Sequence, residues 1–374
     1  MKDVLPFTRP TIDEATIADV VAVLRSGWIA SGPKVQELER ALSAYVGGGR
    51  HARVMTSATG GLEMALKAVG VGPGHEVIVP AMTFAASANV VVRLGARPVF
   101  VDVGLRSRNL SAEAVAKAIT PRTRAIMPVH FAGLSVDMDP VNELARERGL
   151  RVIEDAAHAI GTLYRGRQTG SFGDIACFSF HPNKNMTTIE GGALLYADDT
   201  LTLPLDRERF HGIGKDAAGN VDVFDAGGKY NLTDVAAAVG IGQLRQLDGF
   251  IAARRALVAH YFKRLQRSVD ADMLPLPGDE GHSWHIFAVL APLGRLKITR
   301  DEFIARLRAL GIGTGVHYPS LPGMTYYRGL GHDPSAYPNA ARIGAETVTL
   351  PLFPAMTIAD VDRVCDALLS VIAD

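Results

Sequence analysis

Two short segments place ionisable side chains directly after apolar runs, where a parallel sheet would hold a ligand. Asp155 and His158 follow one such run, and Lys184 lies in a Pro/Asn loop after Ser179, which ends another. A lysine held at the mouth of a sheet is partly desolvated, which lowers its pKa, so that the neutral amine can bond to a carbonyl carbon. A capping aspartate, a structural histidine and a solvated lysine are the ordinary alternatives for each residue taken singly.

Two further strand ends carry residues that suit other parts of a ligand. The small residues 57–61, SATGG, lie between a predicted strand and a predicted helix, where free N–H groups and the helix dipole favour a phosphate. The candidate phosphate contacts are Thr59, Gly60 and Ser179. Phe84 follows a third predicted strand and could stack on a flat ring. An ordinary helix cap and a core phenylalanine are the alternatives here.

Together, the four strand ends require a ligand with a phosphate, a flat basic ring and a carbonyl group. Pyridoxal 5′-phosphate has all three. Asp155 would pair with the pyridine nitrogen and keep it protonated, which makes the ring an electron sink. Lys184 would bond to the aldehyde carbon. The sequence therefore predicts pyridoxal 5′-phosphate as the cofactor, with Lys184 and Asp155 as the catalytic residues.

The elements that must position these residues alternate along the chain. Apolar runs of strand length are separated by helical patterns, which predicts an α/β fold with a mainly parallel sheet covered on both faces. Ligands bind at the carboxyl ends of the strands in such sheets. The N-terminal helix is predicted over 11–27 with Thr11 and Glu14 as a capping box. The last helix is predicted with Thr357 as its N-cap.

The pattern of predicted elements changes after about residue 245. A long amphipathic helix follows at 247–266, and the remaining pattern predicts a smaller α+β unit. We therefore expect a large ligand-binding domain over 1–245, which includes the N-terminal segment, and a small C-terminal domain over 246–374.

Composition excludes several classes of protein. The 374 residues include 39 Lys and Arg and 39 Asp and Glu, and this zero net charge argues against a nucleic-acid partner. A hydrophobic share of 48% excludes a disordered chain. Cys177 and Cys365 are too few for a disulfide framework, which favours a reducing compartment. Since no stretch has the length of a membrane span and no signal core is present, we expect a cytoplasmic protein with no membrane partner.

Longer motifs carry a family resemblance. Residues 154–194, EDAAHAIGTLYRGRQTGSFGDIACFSFHPNKNMTTIEGGAL, resemble the signature block of the DegT/DnrJ/EryC1/StrS aminotransferases. The likeness extends over nearly the whole chain through SGWIASGPKVQELE, SATGGLEMAL, VPAMTFAASAN, KYNLTDVAAAVGIGQL, SWHIF and GIGTGVHYPSL. The resemblance implies a fold-type I PLP-dependent transferase, with a mainly parallel seven-stranded sheet between helices in the large domain and a smaller C-terminal α+β domain.

The resemblance also implies roles for individual residues. It makes Lys184 the lysine that bonds to the cofactor and Asp155 the partner of the ring nitrogen, with Phe84 and His158 flanking the ring or its 3-hydroxyl. It assigns the cofactor phosphate to Thr59, Gly60 and Ser179. It places Asn231 at the phosphate of the neighbouring subunit, which implies a homodimer with shared active sites.

The substrates implied by the resemblance are glutamate, which leaves as 2-oxoglutarate, and a nucleotide-linked keto sugar. A UDP-4-keto sugar is favoured, for lipopolysaccharide, lipid A or related amino-sugar biosynthesis; a dTDP- or GDP-linked 3- or 4-keto sugar is the alternative. The candidate substrate contacts are Trp28, Lys34, His181, Lys229, His317 and Tyr318. Many relatives carry a second histidine shortly after the His-Tyr pair, and its absence here leaves the exact sugar open.

Other classes need residues that the sequence lacks. Sugar dehydrases of the same family carry histidine at the position of Lys184, so the lysine favours amination. Cys177 and Cys365 fall in a predicted strand and helix, which does not suit the mobile-loop cysteine of a desulfurase. A PLP-binding regulatory protein, the distant alternative, would need a DNA-reading module or a basic face. His282 and His285 would face opposite sides of a predicted strand, so no metal site is expected.

Overall fold

The strands carry most of the apolar runs that separate the motifs in the sequence. The computed structural model describes residues 4–373. In chain order the strands are β1 His51–Met55, β2 Glu76–Pro80, β3 Arg97–Val101, β4 Thr123–Ile126, β5 Arg151–Asp155, β6 Leu163–Tyr164, β7 Arg167–Gln168, β8 Ile175–Ser179, β9 Gly192–Tyr196, β10 Ile213–Lys215, β11 Val221–Val223, β12 Phe287–Leu290 and β13 Thr347–Leu350.

Seven strands form one sheet in the order β1-β9-β8-β5-β4-β2-β3. Strands β3, β2, β4, β5 and β8 run parallel, while β9 is antiparallel to both of its neighbours. β1 therefore points the same way as the parallel strands. Strands β2, β8 and β9 are buried along their whole length, as a sheet covered on both faces requires. This confirms the predicted α/β fold with its mainly parallel seven-stranded sheet.

Helices cover both faces of the large sheet and also build the smaller unit. They are α1 Glu14–Ser26, α2 Pro33–Val46, α3 Ala58–Ala68, α4 Ala85–Arg93, α5 Ala112–Ala118, α6 Met138–Arg148, α7 Thr202–Arg209, α8 Asp234–Leu265, α9 Leu293–Leu296, α10 Arg300–Ala309, α11 Thr325–Gly329, α12 Pro338–Glu346 and α13 Ile358–Ala373. Within residues 4–373, none of these helices has the length and apolar character needed to cross a membrane.

Alternate residues of the strands pack against different helices. Val77 and Val79 share a core with α3 and α4, whereas Ile78 packs in a separate core with α5 and α6. Helices α2 and α8 cover the opposite half of the sheet, where they pack against Phe178. The period of two along a strand explains this division, because successive side chains point to opposite faces.

The sequence predicted the cap of the last helix correctly, but not the cap of the first. Helix α1 begins at Glu14, and Asp13 caps it by accepting a 2.8 Å hydrogen bond from the Thr16 N–H. The predicted capping box of Thr11 and Glu14 was therefore wrong. The helix begins only at Glu14, so Asp13 and not Thr11 is the residue that can cap it. At the last helix, Thr357 accepts from the Asp360 N–H, as predicted.

A smaller unit follows the large sheet. Strands β12 and β13 pair antiparallel, and a separate apolar core joins them to α10, α13 and the second half of α8. Helix α8 runs without a break across residue 245. The division into 1–245 and 246–374 stays a prediction.

His282 and His285 lie outside the strand in which the sequence placed them. β12 begins at Phe287, so both histidines precede it, and both are buried. The argument from opposite faces of a strand was therefore wrong. Within the described part of the chain, no group of three or more His, Cys, Asp or Glu side chains could hold a metal ion.

Candidate active site

The strand ends that the sequence singled out meet at one edge of the large sheet. The carboxyl ends of β1, β2, β5 and β8 point to this edge because the strands run in the same direction. Ser57 lies two residues after the end of β1 and Phe84 four residues after the end of β2, whereas Asp155 and Ser179 are the last residues of β5 and β8. A cavity of about 350 Å³ opens here, which is the size of a small-molecule site.

Nine of the predicted site residues line this cavity. They are Thr59, Phe84, Asp155, His158, Ser179, His181, Lys184, His317 and Tyr318. They come from the ends of sheet strands, from the starts of α3 and α4, from the loop between β8 and β9 and from the segment that precedes α11. The fold therefore brings together residues that are far apart in the sequence.

Asp155 is the last residue of β5 and is only 4% exposed. One carboxylate oxygen accepts a 2.7 Å hydrogen bond from the Ser87 hydroxyl, and the other accepts from the Ala157 N–H at 3.2 Å. Burial raises the pKa of this carboxyl, while these hydrogen bonds and the charge of Lys184 act in the opposite direction. A buried carboxylate of this kind gains most from a cationic partner in the cavity.

Lys184 is half-buried and is the one lysine or arginine among the described residues that lines the cavity. Burial lowers the pKa of its ammonium to about 8, although the charge of Asp155 acts to raise it. Among residues 4–373 its amine makes no direct hydrogen bond or ion pair. At pH 7 roughly a tenth of this lysine is then the neutral amine, which can attack a carbonyl carbon.

The loop between β8 and β9 holds Lys184 in place through its own backbone bonds. The Phe180 N–H donates to the Gly191 carbonyl at 2.9 Å, which closes the loop at its base. The Thr188 N–H and the Thr187 hydroxyl both donate to the Phe180 carbonyl. The Pro/Asn sequence of the loop therefore forms a fixed turn rather than a mobile segment, and the lysine is presented from it.

His158 is a neutral imidazole in the cavity wall. The Ala132 N–H donates to its Nδ1 at 3.3 Å, so Nε2 carries the proton and donates to the Tyr318 hydroxyl at 3.1 Å. Burial, together with the nearby charge of Lys184, holds the pKa of His158 well below its usual range. A neutral ring of this kind can lie against another flat ring without adding charge.

The corner of the cavity at the start of α3 suits an anion. Ser57 caps this helix, and its hydroxyl accepts from the Gly60 N–H at 3.1 Å. The N–H groups of the first helical turn have no partner within the helix, and the helix dipole favours negative charge there. Thr59 and Ser179 border this corner.

Gly60 does not itself line the cavity. A Cβ added there would lie 2.9 Å from the ring of Tyr230. The glycine is therefore needed for close packing against that ring. Its N–H still belongs to the helix start that faces the anion corner.

Two aromatic side chains frame the mouth of the cavity. Phe84 is 55% exposed, and its ring centre lies 5.5 Å from that of Tyr318. His317 lies deeper and is hydrogen-bonded through Nδ1 to the Thr349 hydroxyl at 2.8 Å. Burial and the charge of Lys184 lower the pKa of His317 to about 4. Apolar ring faces and neutral imidazoles thus surround the lysine.

Four predicted residues lie elsewhere on the same chain. Trp28 is 62% exposed, Lys34 pairs with Glu37 at 2.8 Å, and Lys229 lies over a phenylalanine ring. The Asn231 amide donates to the Ser31 hydroxyl. None of these four side chains lines the cavity of its own chain.

Several residues in or next to the cavity were missed by the sequence reasoning. They are Thr83, Asn183 and Glu190 at the cavity surface and Ser87 directly behind Asp155. The hydroxyl residues in PAMTFAAS offered a signal, because they follow a strand and begin a helix. Their contact with a carboxylate 68 positions later could not be inferred from their spacing.

The residues fit pyridoxal 5′-phosphate. The helix start offers N–H groups to a phosphate, Asp155 is a buried carboxylate that would face a protonated ring nitrogen, and Lys184 offers an amine to the aldehyde. A mainly parallel α/β fold with these groups at one sheet edge defines the class of fold-type I PLP-dependent transferases.

Comparison with known proteins gives the family. The model of the DegT/DnrJ/EryC1/StrS aminotransferase family matches residues 10–369, and the chain belongs to this family. The predicted aminotransferase class and pyridoxal phosphate dependence are confirmed at this level.

Solved structures with similar folds come from three bacteria. Spr1654 from Streptococcus pneumoniae, a candidate sugar aminotransferase in its PLP form, is 32% identical, with a TM-score of 0.90 and 99% of each chain covered. DesV from S. venezuelae, solved in complex with a ketimine intermediate, is 34% identical, with a TM-score of 0.89 and 100% of each chain covered. PseC from Helicobacter pylori, an aminotransferase involved in the biosynthesis of pseudoaminic acid, is 25% identical, with a TM-score of 0.92, and the match covers 99% of this chain and 100% of PseC.

Proposed function

We propose that the protein transfers an amino group from glutamate to a nucleotide-linked keto sugar. The observation that carries this proposal is the presence, in one cavity, of a half-buried lysine with a lowered pKa and a buried carboxylate. The first group suits attachment of an aldehyde, and the second suits a protonated ring nitrogen.

The proposal gives each cavity residue a role. Lys184 bonds to the cofactor aldehyde, and Asp155 pairs with the ring nitrogen. Phe84 and His158 lie against the ring. Thr59, Gly60 and Ser179 hold the phosphate at the start of α3, and this assignment is supported by the position of Thr59 and Ser179 at the cavity wall beside the positive end of the helix.

Pyridoxal phosphate, when bound, supplies an aldehyde that accepts the amino group and a ring that withdraws electrons from the carbon that loses a proton. The chain supplies the proton transfer. Once the donor has displaced it, the neutral Lys184 amine takes the proton from the donor Cα. A positioned base of this kind contributes about 10²–10⁴-fold to the rate. The closed loop 180–191 holds the amine at that position.

A sugar acceptor is supported by the relatives. PseC acts in the biosynthesis of pseudoaminic acid, and Spr1654 is a candidate sugar aminotransferase. The cavity mouth of this chain presents the exposed Phe84 ring beside the Tyr318 ring. Ring faces of this type suit the apolar face of a pyranose.

Within the family we favour a UDP-4-keto sugar. The motifs SGWIASGPK, FSFHPNKN, FHGIG and GIGTGVHY resemble the UDP-4-amino-4-deoxy-L-arabinose–oxoglutarate aminotransferase. His181, His317 and Tyr318 line the cavity and are the proposed sugar contacts. A role in lipopolysaccharide or lipid A biosynthesis and a cytoplasmic location stay predictions.

We also propose a homodimer in which each active site uses both chains. Asn231 lies beside the end of β1 but outside the cavity of its own chain, which supports its assignment to the phosphate of a partner chain. Trp28, Lys34 and Lys229 are likewise proposed to contact substrate across the dimer. The exposed apolar side chains of Trp28 and Ile29 would be covered in such an assembly.

The substrate experiment uses the protein loaded with cofactor. It is incubated with glutamate and a panel of UDP- and dTDP-linked 3-keto and 4-keto sugars, and products are identified by mass and NMR. The amino sugar and 2-oxoglutarate should form in equal amounts with one member of the panel. If the protein turns over glutamate but aminates no sugar, the sugar assignment is wrong. If glutamate leaves the visible cofactor band unchanged, glutamate is not the donor.

Subunit complementation tests the shared site. Chains with Lys184→Ala and chains with Asn231→Ala are each expected to be nearly inactive. In their heterodimer, one of the two sites combines an intact Lys184 with an intact Asn231, so mixing the variants should restore about a quarter of the activity. A mixture that dimerises but stays inactive would argue against Asn231 acting across the interface.

A further inference from the structure

A buried pair of hydroxyl groups stands behind the carboxylate of Asp155. The Ser87 hydroxyl lies 2.7 Å from Oδ2 of Asp155 and 3.0 Å from the Thr83 hydroxyl. Ser87 is fully buried, and Thr83 is 2% exposed. The three side chains therefore form a chain of hydrogen bonds that leads from the cavity wall to the carboxylate.

The direction of the bonds follows from the number of protons. Ser87 has one hydroxyl proton, and an ionised carboxylate can only accept. Ser87 must therefore donate to Asp155, and Thr83 must donate to Ser87. The Ser87 hydroxyl then has both a donor and an acceptor partner, and the bond that it donates favours the ionised form of the carboxylate.

The position of the pair is set by the start of α4. Phe84 is the N-cap residue of this helix, and Ser87 lies in its first turn. The same turn thus places the aromatic ring in the cavity and the hydroxyl on the carboxylate. Because hydrogen bonds to a charged group are roughly twice as strong as neutral ones, the serine can fix the rotamer of Asp155.

We propose that Ser87 is a positioning residue, supported by Thr83, that orients the carboxylate of Asp155 and keeps it ionised toward the ring nitrogen of the cofactor. The inference rests on the proposed role of Asp155. Ser87 touches neither cofactor nor substrate and acts only through the carboxylate.

Other groups also act on Asp155 and must be held constant. Lys184 and His130 favour its ionised form, while Cys177 and Tyr318 are neutral groups whose ionisation it opposes. None of these four side chains is hydrogen-bonded to Ser87. Replacing Ser87 therefore removes one donor from the carboxylate and leaves the surrounding charges unchanged.

The experiment follows the cofactor through its visible absorption band rather than through turnover alone. Wild type, Ser87→Ala, Ser87→Thr and Thr83→Val are loaded with pyridoxal 5′-phosphate, and the band is titrated with acid. The retention of the cofactor is measured by equilibrium dialysis. Ser283→Ala is the matched control, because Ser283 is also fully buried and hydrogen-bonded but does not line the cavity.

The expected results follow from the lost donor. Ser87→Ala should retain the cofactor about tenfold more weakly, and acid should abolish the band at a higher pH than in wild type, because the carboxylate loses a bond to its ionised form. Ser87→Thr should restore much of the wild-type titration. Thr83→Val should show a smaller shift in the same direction, and Ser283→Ala should titrate like wild type.

The outcomes separate this inference from the proposed function. If wild type and Lys184→Ala give the same band, the assignment of the lysine is wrong. If the wild-type band depends on Lys184 while Ser87→Ala and Thr83→Val both titrate like wild type, the positioning role is overturned. Thr83→Val keeps the shape of threonine, so it decides the matter even if a substitution at Ser87 prevents folding.

Discussion

The hydroxyl of Tyr318 lies 3.1 Å from Nε2 of His158, and this contact joins two segments that are far apart in the sequence across the cavity. His158 follows the strand that ends in Asp155, whereas Tyr318 belongs to the segment between α10 and α11. The ring of Tyr318 also lies 5.5 Å from that of Phe84. The Tyr318 side chain thus contacts both the imidazole in the cavity wall and the exposed ring at the cavity mouth.

Replacing Tyr318 by phenylalanine should separate these two effects. The ring contact with Phe84 remains, but His158 loses the acceptor of its Nε2 proton. A neutral hydrogen bond contributes about 0.5–1.5 kcal/mol, so kcat/KM for amino transfer should fall about twofold to tenfold. Tyr326→Phe is the matched control, since Tyr326 is 55% exposed and does not line the cavity. Equal kinetics for the two variants would show that the bond to His158 does not contribute.

Replacing Lys184 by alanine should remove both the visible cofactor band and the amino transfer. The expected loss in rate is about 10²–10⁴-fold or more, because the variant lacks the base as well as the point of attachment. Absorption spectra and single-turnover kinetics with glutamate measure the two losses. Lys117→Ala, which changes an exposed lysine on α5, should behave like wild type. A lysine assignment elsewhere in the chain would follow if the Lys184 variant kept its band.

Replacing the two adjacent carboxylates at the end of β5 should affect different properties: the change at Glu154 should lower stability, and the change at Asp155 should lower activity. Glu154 is fully buried and accepts hydrogen bonds from His130 and from the N–H groups of Gly170, Phe172 and Gly173. Glu154→Gln should therefore lower the free energy of unfolding by about 1–3 kcal/mol, since one oxygen that accepts N–H groups becomes a donor. Thermal and urea unfolding of the cofactor-free protein measure this loss.

Asp155→Asn should spare stability and impair the chemistry. Its carboxyl has a raised pKa because it is buried, so a neutral amide should leave the cofactor-free protein about as stable as wild type. Amino transfer should fall by at least about tenfold, because the ring nitrogen loses its anionic partner. Unfolding curves and kinetics are measured on the same preparations. The division of roles is wrong if Asp155→Asn unfolds more readily than Glu154→Gln.

Sequence reasoning located the cavity because strand ends are visible in a sequence. Apolar runs marked the strands, and polar residues directly after them marked the edge where ligands bind. Lys184, Asp155 and Thr59 were chosen for that reason, and the structure places them around one cavity. Their chemical roles stay predictions until they are tested.

Contacts between elements that are distant in the chain could not be predicted from the sequence. The bond from Ser87 to Asp155 depends on how α4 packs beside β5, and no periodicity reports that geometry. The close packing of Gly60 against the ring of Tyr230 could not be inferred from the sequence either, because the two residues are 170 positions apart. The cap of α1 moved from Thr11 to Asp13 for a similar reason, since both residues could cap a helix and the backbone path decided between them.

The pH dependence of cofactor attachment should report the environment of Lys184. Burial lowers the pKa of its ammonium from 10.5 to about 8. Below that pH, the neutral fraction falls about tenfold for each pH unit, so the rate of capture of pyridoxal 5′-phosphate by cofactor-free protein should rise with pH and level off above about 8. In Asp155→Asn, the midpoint should move to lower pH, because the charge that raises the pKa of the lysine is gone. Stopped-flow absorbance measures both curves. A midpoint close to 10.5 in wild type would mean that the amine is solvated, and an unchanged midpoint in Asp155→Asn would mean that the carboxylate and the amine do not interact across the cavity.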